Sequence, residues 1–326
     1  MDRVLEIAAK IQTPISLAAL AILILLILFK YMLDKLRVSS VIPADTFKIL
    51  MRMMTYVFII ALVGLFMGVA AFILTSLQIN QSKNSFNKYS DQLEDVNITN
   101  RTTAISELGR LAHENTSLIM PACERLAAVV HAKYAKTEIN GVILPSQDVL
   151  QAITTISSLS SYPDCTARNF DNALFSRLVL KNLSFVGFNF TKSVLQEANF
   201  SGSKLKNSDF TRADLFGAIF RAADLEGVKF NGARLSEVNF ENANLTNASG
   251  LSGSNLRTSI MDGAVLANVD LRKSQLPSDH MRRAKLSKTD LRSTDLRNVK
   301  GLCLSEFLMS IHDETTMEPE FDDCQG

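Results

Sequence analysis

No motif that carries catalysis is present. The 326 residues contain no glycine-rich phosphate loop, no HExxH pair, no EF-hand loop and no nucleophile elbow. The phosphoryl-transfer, zinc-hydrolase, calcium-binding and serine-hydrolase classes marked by those motifs therefore have no foothold. Cysteine is scarce. Cys123, Cys165, Cys303 and Cys324 are too dispersed for a metal knuckle or a redox pair. Nor do they read as a disulfide framework, so they are expected to be small apolar or surface residues, with the redox compartment left open. His113 and His131 have no cysteine or carboxylate at ligand spacing and are expected to pack or face solvent. No cofactor and no metal are expected, and the chain is read as a non-enzyme.

Net charge is also nearly absent, at +1, but the balance conceals an asymmetry. Residues 165–302 hold twenty basic and thirteen acidic side chains, whereas 303–326 hold seven acidic and no basic ones. Arg282, Arg283, Lys285 and Lys288, with neighbouring Arg292 and Arg297, form the densest basic cluster and are the candidate interaction patch. Basic charge alone suffices for contact with a nucleic-acid backbone, but no aromatic or glycine interleaving accompanies it here. An acidic protein partner or anionic lipid headgroups are the expected ligands. The acidic segment 313–323 is read as a solvated terminus, with folding back onto the patch as the alternative.

Charge is missing altogether from two long stretches, 12–29 and 54–75. Spans at 12–33 and 54–76 each reach roughly the 20 apolar residues that cross a hydrocarbon core. The small residues Ala18, Ala19 and Ala21 precede the first apolar core, and Lys30–Met32 make a poor cleavage site, which favours an uncleaved anchor. Gly64 and Gly68 form a GxxxG pair suited to helix packing, against the first span or in a homo-oligomer. Residues 1–77 are thus expected to be a two-helix transmembrane hairpin, placing the protein as multi-pass in a bacterial cell membrane. The basic loop around Lys35, Arg37, Lys48 and Arg52 favours a cytoplasmic loop, but a cytoplasmic C-terminal domain is mechanically simpler, and the side stays open. Residues 78–163 then form a helical stalk and adaptor. Ile105, Leu108 and Leu111 recur at helical spacing, and Ser146 with Asp148 opens a further helix.

From Phe170 onward the period is five. The large apolar positions include Leu205, Phe210, Leu215, Phe220, Leu225, Phe230, Leu235, Phe240 and Leu245. Two places before each stands a mostly small residue, as at Ala213, Ala218, Ala223, Ala233 and Ala243, and Asp or Asn often lies between. One extra residue enters at Gly250–Leu251, after which the period resumes to Leu296. Five fits neither the 3.6 of a helix nor the 2.0 of a strand. A chain that turns inward at every fifth residue makes a square coil filled by its own side chains, with no interior pocket. The segment LPSDH at 276–280 breaks the pattern by placing Asp279 at an inward slot, so a loop is expected there. Leu178, Leu183 and Phe188 stand where Ala is usual, which implies a wider or distorted opening, or contact with the helical adaptor.

The stretches ADLFG (213–217), ADLEG (223–227), ANLTN (243–247) and TDLRS (289–293) resemble the A(D/N)Lxx motif of the pentapeptide-repeat family. ISELGRLAHEN (105–115) and LSEFLMSIHDETTMEPEF (304–321) are similar to segments flanking the repeats in its membrane-attached members. The resemblance implies an all-β solenoid, a right-handed quadrilateral β-helix over 164–302, with a short capping helix and acidic tail at 303–326. The function expected from this is a membrane-anchored, non-catalytic scaffold or protein-interaction module presenting a rigid β-helix surface. Nucleic-acid or topoisomerase-related binding is the alternative, and an enzyme of unrecognised type a further one.

Overall fold

The computed structural model describes residues 44–132, 137–139, 142–144, 146–166 and 168–321, with isolated positions between 24 and 35. It divides into two units, Met1–Asn84 and Ser85–Gly326.

The first unit is represented by helix α1, Ala44–Gln92, whose last turns belong to the second unit. Between Met51 and Gln92 lies the one helix among the described residues long and apolar enough to cross a membrane. Tyr56, Val57, Ile60, Met67 and Leu74 are exposed around its circumference, a surface costly in water at roughly 25 cal/mol per Å². The expected span at 54–76 lies inside this helix, while the one at 12–33 falls largely outside the described residues. With one such helix among the described residues rather than two, the multi-pass localisation and the transmembrane hairpin are corrected to a single candidate span there.

The second unit begins with helices. After α1 come α2 (Ile98–Glu114), a 3₁₀ turn (Thr116–Leu118), α3 (Ile119–Ala132) and α4 (Gln147–Leu159). A small antiparallel pair, β1 (Thr137–Ile139) and β2 (Val142–Leu144), lies between α3 and α4. Asn97 caps α2 by accepting from the Thr99 amide. Ser146 occupies the N-cap of α4, but its hydroxyl donates to the Asp148 carboxylate rather than capping the backbone. Asp148 is fully buried and receives the Arg101 guanidinium from α2 at 2.5 Å, which locks the two helices together.

From Phe170 the chain winds in coils. Phe170 N–H donates to Asn189 O, Phe190 N–H to Asp209 O and Phe210 N–H to Lys229 O, so equivalent groups recur every twenty residues. Each five-residue unit turns at its second and third positions. Asn172, Arg177, Lys192 and Arg212 there hold φ between 56° and 61°, the left-handed region that ordinary residues avoid. Where Asp or Asn precedes the large residue it can cap the turn, as when the Thr211 amide donates to Asp209 Oδ1 at 2.9 Å. Inside, Phe190 stacks on Phe210 at 4.8 Å and Phe200 on Phe220 at 5.2 Å. Buried Ser203 and Thr289 satisfy their hydroxyls on the carbonyls of Leu180 and Leu266.

The expected fold class is corrected here. No run within 164–302 reaches strand length. The regular elements among the described residues are helices, and the one sheet is the β1–β2 pair. The coils touch through isolated single-residue parallel bridges such as Asn189↔Asp209 and Asp209↔Lys229. A turn in every five residues leaves one extended position between corners, too short for a ladder. The all-β, quadrilateral β-helix description therefore gives way to a turn-built coil, and the reading of a rigid β-helix surface goes with it.

The helices seat on the first coil. His131 Nε2 meets Asn169 O at 2.8 Å, the Ser184 amide donates to Ser157 Oγ, and Arg168 donates to Ser160 O. A disulfide joins Cys123 of α3 to Cys165 just before the coil, with Cα atoms 5.7 Å apart. Cys303 is disulfide-bonded as well. The expectation of ordinary, unlinked cysteines is corrected. The pairing was invisible because forty-two residues separate Cys123 from Cys165, and only the docking of α3 on the coil brings them together. Phe188 is buried in the first coil, packing on Phe170 and Phe185 at 5.3 Å each.

Candidate functional site: a cationic corner on the last coils

The interior holds no site. Phe210, Leu215, Phe220, Leu225, Phe230, Phe240 and Leu245 are buried, as are Leu235 and the small residues Ala213, Ala218, Ala223 and Ala243; Ala233 is partly buried. Gly64 and Gly68 have open space where a Cβ would stand. Chemistry must therefore be sought on the outside. Among the described residues no three His, Cys, Asp or Glu side chains gather as a metal site.

The structure splits the six-residue basic cluster in two. Arg292 is clasped by Asp290, its Nη2 donating at 2.7 Å and its Nε at 3.0 Å. Arg297 is held in the same way by Asp295, at 2.8 and 3.0 Å. Both Asp residues also cap their own turns through the Arg292 and Arg297 amides. The Arg297 hydrogen bonds hold the Asp295 carboxyl down at about 2, and Arg292 lowers Asp290 likewise. These two arginines are locally neutralised.

The other four are not. Arg282, Arg283, Lys285 and Lys288 are exposed and make no ion pair among the described residues. Arg283 and Lys288 sit at left-handed turn positions, and Lys285 bridges to Val265 on the flat between those corners. One side of one coil and its two corners thus carry four cations with no ion pair among the described residues. The next layer adds apolar surface. Helix α5, Leu304–Leu308, closes the core with buried Phe307, while the Glu306 carboxylate accepts the Leu286 amide. Leu304, Leu308 and Met309 stay exposed at 47%, 64% and 59%, and Met309 O accepts the Lys288 amide at 2.8 Å. Sequence reading missed this rim, because α5 looked like a closing helix and nothing marked which side it would leave uncovered. The acidic segment, expected to be solvated, bridges back onto the last coil, Ile311 to Asp290 and Met317 to Asp295.

A second feature lies where LPSDH breaks the repeat. Pro277 turns inward and Asp279 outward, pairing with Lys300 at 3.5 Å. A polar groove of about 860 Å³ opens there, lined by Arg257, Gln275, Ser278, Arg297, Asn298 and Glu320 among others.

Residues 193–232 and 223–249 match the family profile described as pentapeptide repeats, in eight copies. The chain belongs to the pentapeptide-repeat family. Among solved structures, a pentapeptide-repeat protein from the thylakoid lumen of Arabidopsis thaliana is 36% identical, covering 30% of this chain and 67% of that one, with a TM-score of 0.29. HetL, a pentapeptide-repeat protein involved in heterocyst differentiation regulation from the cyanobacterium Nostoc, is 26% identical over 45% of this chain and 67% of its own, at a TM-score of 0.28. Rfr23 from the cyanobacterium Cyanothece is 20% identical over 48% and 93%, at 0.29. These overlays are too partial to carry a functional argument. No curated protein matches. This pentapeptide-repeat protein carries, beside its coils, a helical cap, the Cys123–Cys165 disulfide and the cationic corner.

Proposed function

We propose that this pentapeptide-repeat protein is a non-catalytic recognition protein, and that its cationic corner docks an acidic, amphipathic segment of a partner protein. One observation carries the reading: among the described residues Arg282, Arg283, Lys285 and Lys288 make no ion pair and lie on the coil next to exposed Leu304, Leu308 and Met309, while nearby Arg272, Arg292 and Arg297 are each held by an aspartate. Four like charges on one coil repel one another, and a partner of opposite charge relieves that repulsion while setting encounter rate and register. The adjoining Leu and Met side chains offer an adaptable apolar strip for the other face of the segment. Lipid headgroups fit less well. The exposed rim has no Trp or Tyr, the residues that anchor proteins at a bilayer interface.

The test uses the full chain in detergent, with a helical Glu/Leu peptide as one probe and anionic phospholipid vesicles as the other. Binding of the peptide with a steep salt dependence, and at least tenfold weaker binding in the Arg283→Glu/Lys285→Glu variant, supports the reading. Vesicle binding without peptide binding, or peptide binding indifferent to the variant, overturns it.

A further inference from the structure

We infer that the Ser85–Gly326 unit matures in an oxidising compartment, while the basic segment ahead of the apolar helix stays on the opposite, reducing side. Two independent observations converge. The first is covalent. Cys123 and Cys165 are both fully buried and joined across forty-two residues, Cys303 is disulfide-bonded, and no cysteine among the described residues is free. Cytosolic thiol pools keep such pairs reduced, whereas exported domains retain them. The bond also sits at a structural joint, tying α3 to the start of the first coil where His131 and Ser157 make the neighbouring cap contacts.

The second observation is the charge on either side of the apolar stretch. On the N-terminal side stand Lys30, Lys35, Arg37, Lys48 and Arg52 against Asp34 and Asp45. On the C-terminal side Lys83 and Lys88 are offset by Asp91, Glu94 and Asp95. Basic residues flanking a span are retained on the cytoplasmic side. With the candidate span Met51–Gln92, the one among the described residues, that rule sends the Ser85–Gly326 unit across, to the side where disulfides form. Charge bias and cysteine pairing thus give the same orientation, although neither depends on the other.

The experiment takes the full chain in its native membranes, quenches thiols with acid, and labels with a polyethylene-glycol maleimide before and after reduction. The expected result is no label without reductant and four labels after it, one for each cysteine in the sequence. A membrane-impermeant amine reagent applied to sealed vesicles of either orientation is expected to reach Lys35 and Lys48 from one side and Lys285 and Lys288 from the other. Labelling of thiols without reductant, or modification of both lysine sets from the same side, overturns the inference.

Discussion

At the scale of single residues, the account rests on how buried or clasped charges are satisfied. Asp148 has no water to turn to. Burial pushes its carboxyl up, but the hydrogen bonds from Arg101 and Ser146 outweigh this and leave it below the ordinary carboxylate range. Arg101→Ala strands that charge and should cost roughly 3–5 kcal/mol, read as a lowered denaturation midpoint. Asp295 behaves differently because it is on the surface. Its carboxyl is lowered to about 2, first by the Arg297 side-chain hydrogen bond and then by the Arg297 amide. A folded-state value below the unfolded one gives stability that is full above the unfolded value near 3.8 and is lost as pH falls through about 2. An NMR titration should find the Asp295 carboxyl still ionised at pH 3 in the wild type and shifted upward in Arg297→Gln. Aspartates at this repeat position were legible as motif letters, but the clasp was not. It depends on an arginine two places later adopting a rotamer that folds back over the turn.

Among elements, the coil was legible and its class was not. A period of five identified which side chains go inward, and Phe190, Phe210 and Phe230 do stack at twenty-residue intervals. What the period could not show is that one extended residue between turns yields bridges rather than strands, so hydrogen bonding is parcelled out corner by corner. Phe210→Ala should cost about 3–5 kcal/mol by opening a hole in a stack with no slack. Ala218→Leu should cost roughly 1–3 kcal/mol by overfilling a corner, and thermal melting of the two variants checks both figures. Gly250 marks the inserted residue at φ 82°, where a Cβ would collide with the Asn231 backbone nitrogen. That close approach explains why the extra residue is a glycine. The helices at the N-terminal end were readable from apolar spacing. Their seat on the coil was not, because it is made by scattered polar contacts and one disulfide.

On the scale of the whole second unit, a single hydrophobic core runs from Phe86 and the helices through the coils to Phe307, so capping and coil should unfold together. The Cys123–Cys165 bond closes a loop whose chain-entropy contribution is about 4 kcal/mol. Cys123→Ser/Cys165→Ser should therefore lower the melting temperature while keeping one transition. A second, separate transition would show the cap to be independent of the coil. The candidate site was half visible at this scale. The basic cluster could be read from composition, but which of its members are clasped could not, since that depends on the rotamers by which Arg292 and Arg297 fold back onto the aspartates two places before them.

The most direct measurement is therefore a matched comparison of acidic-peptide affinity in two double variants of the full chain, Arg283→Gln/Lys285→Gln and Arg292→Gln/Arg297→Gln. Each removes two positive charges. The account predicts at least a tenfold loss for the first pair and under threefold for the second, because Asp290 and Asp295 already occupy those arginines. Equal losses would mean that only net charge matters, and a larger loss for the second pair would place the contact elsewhere.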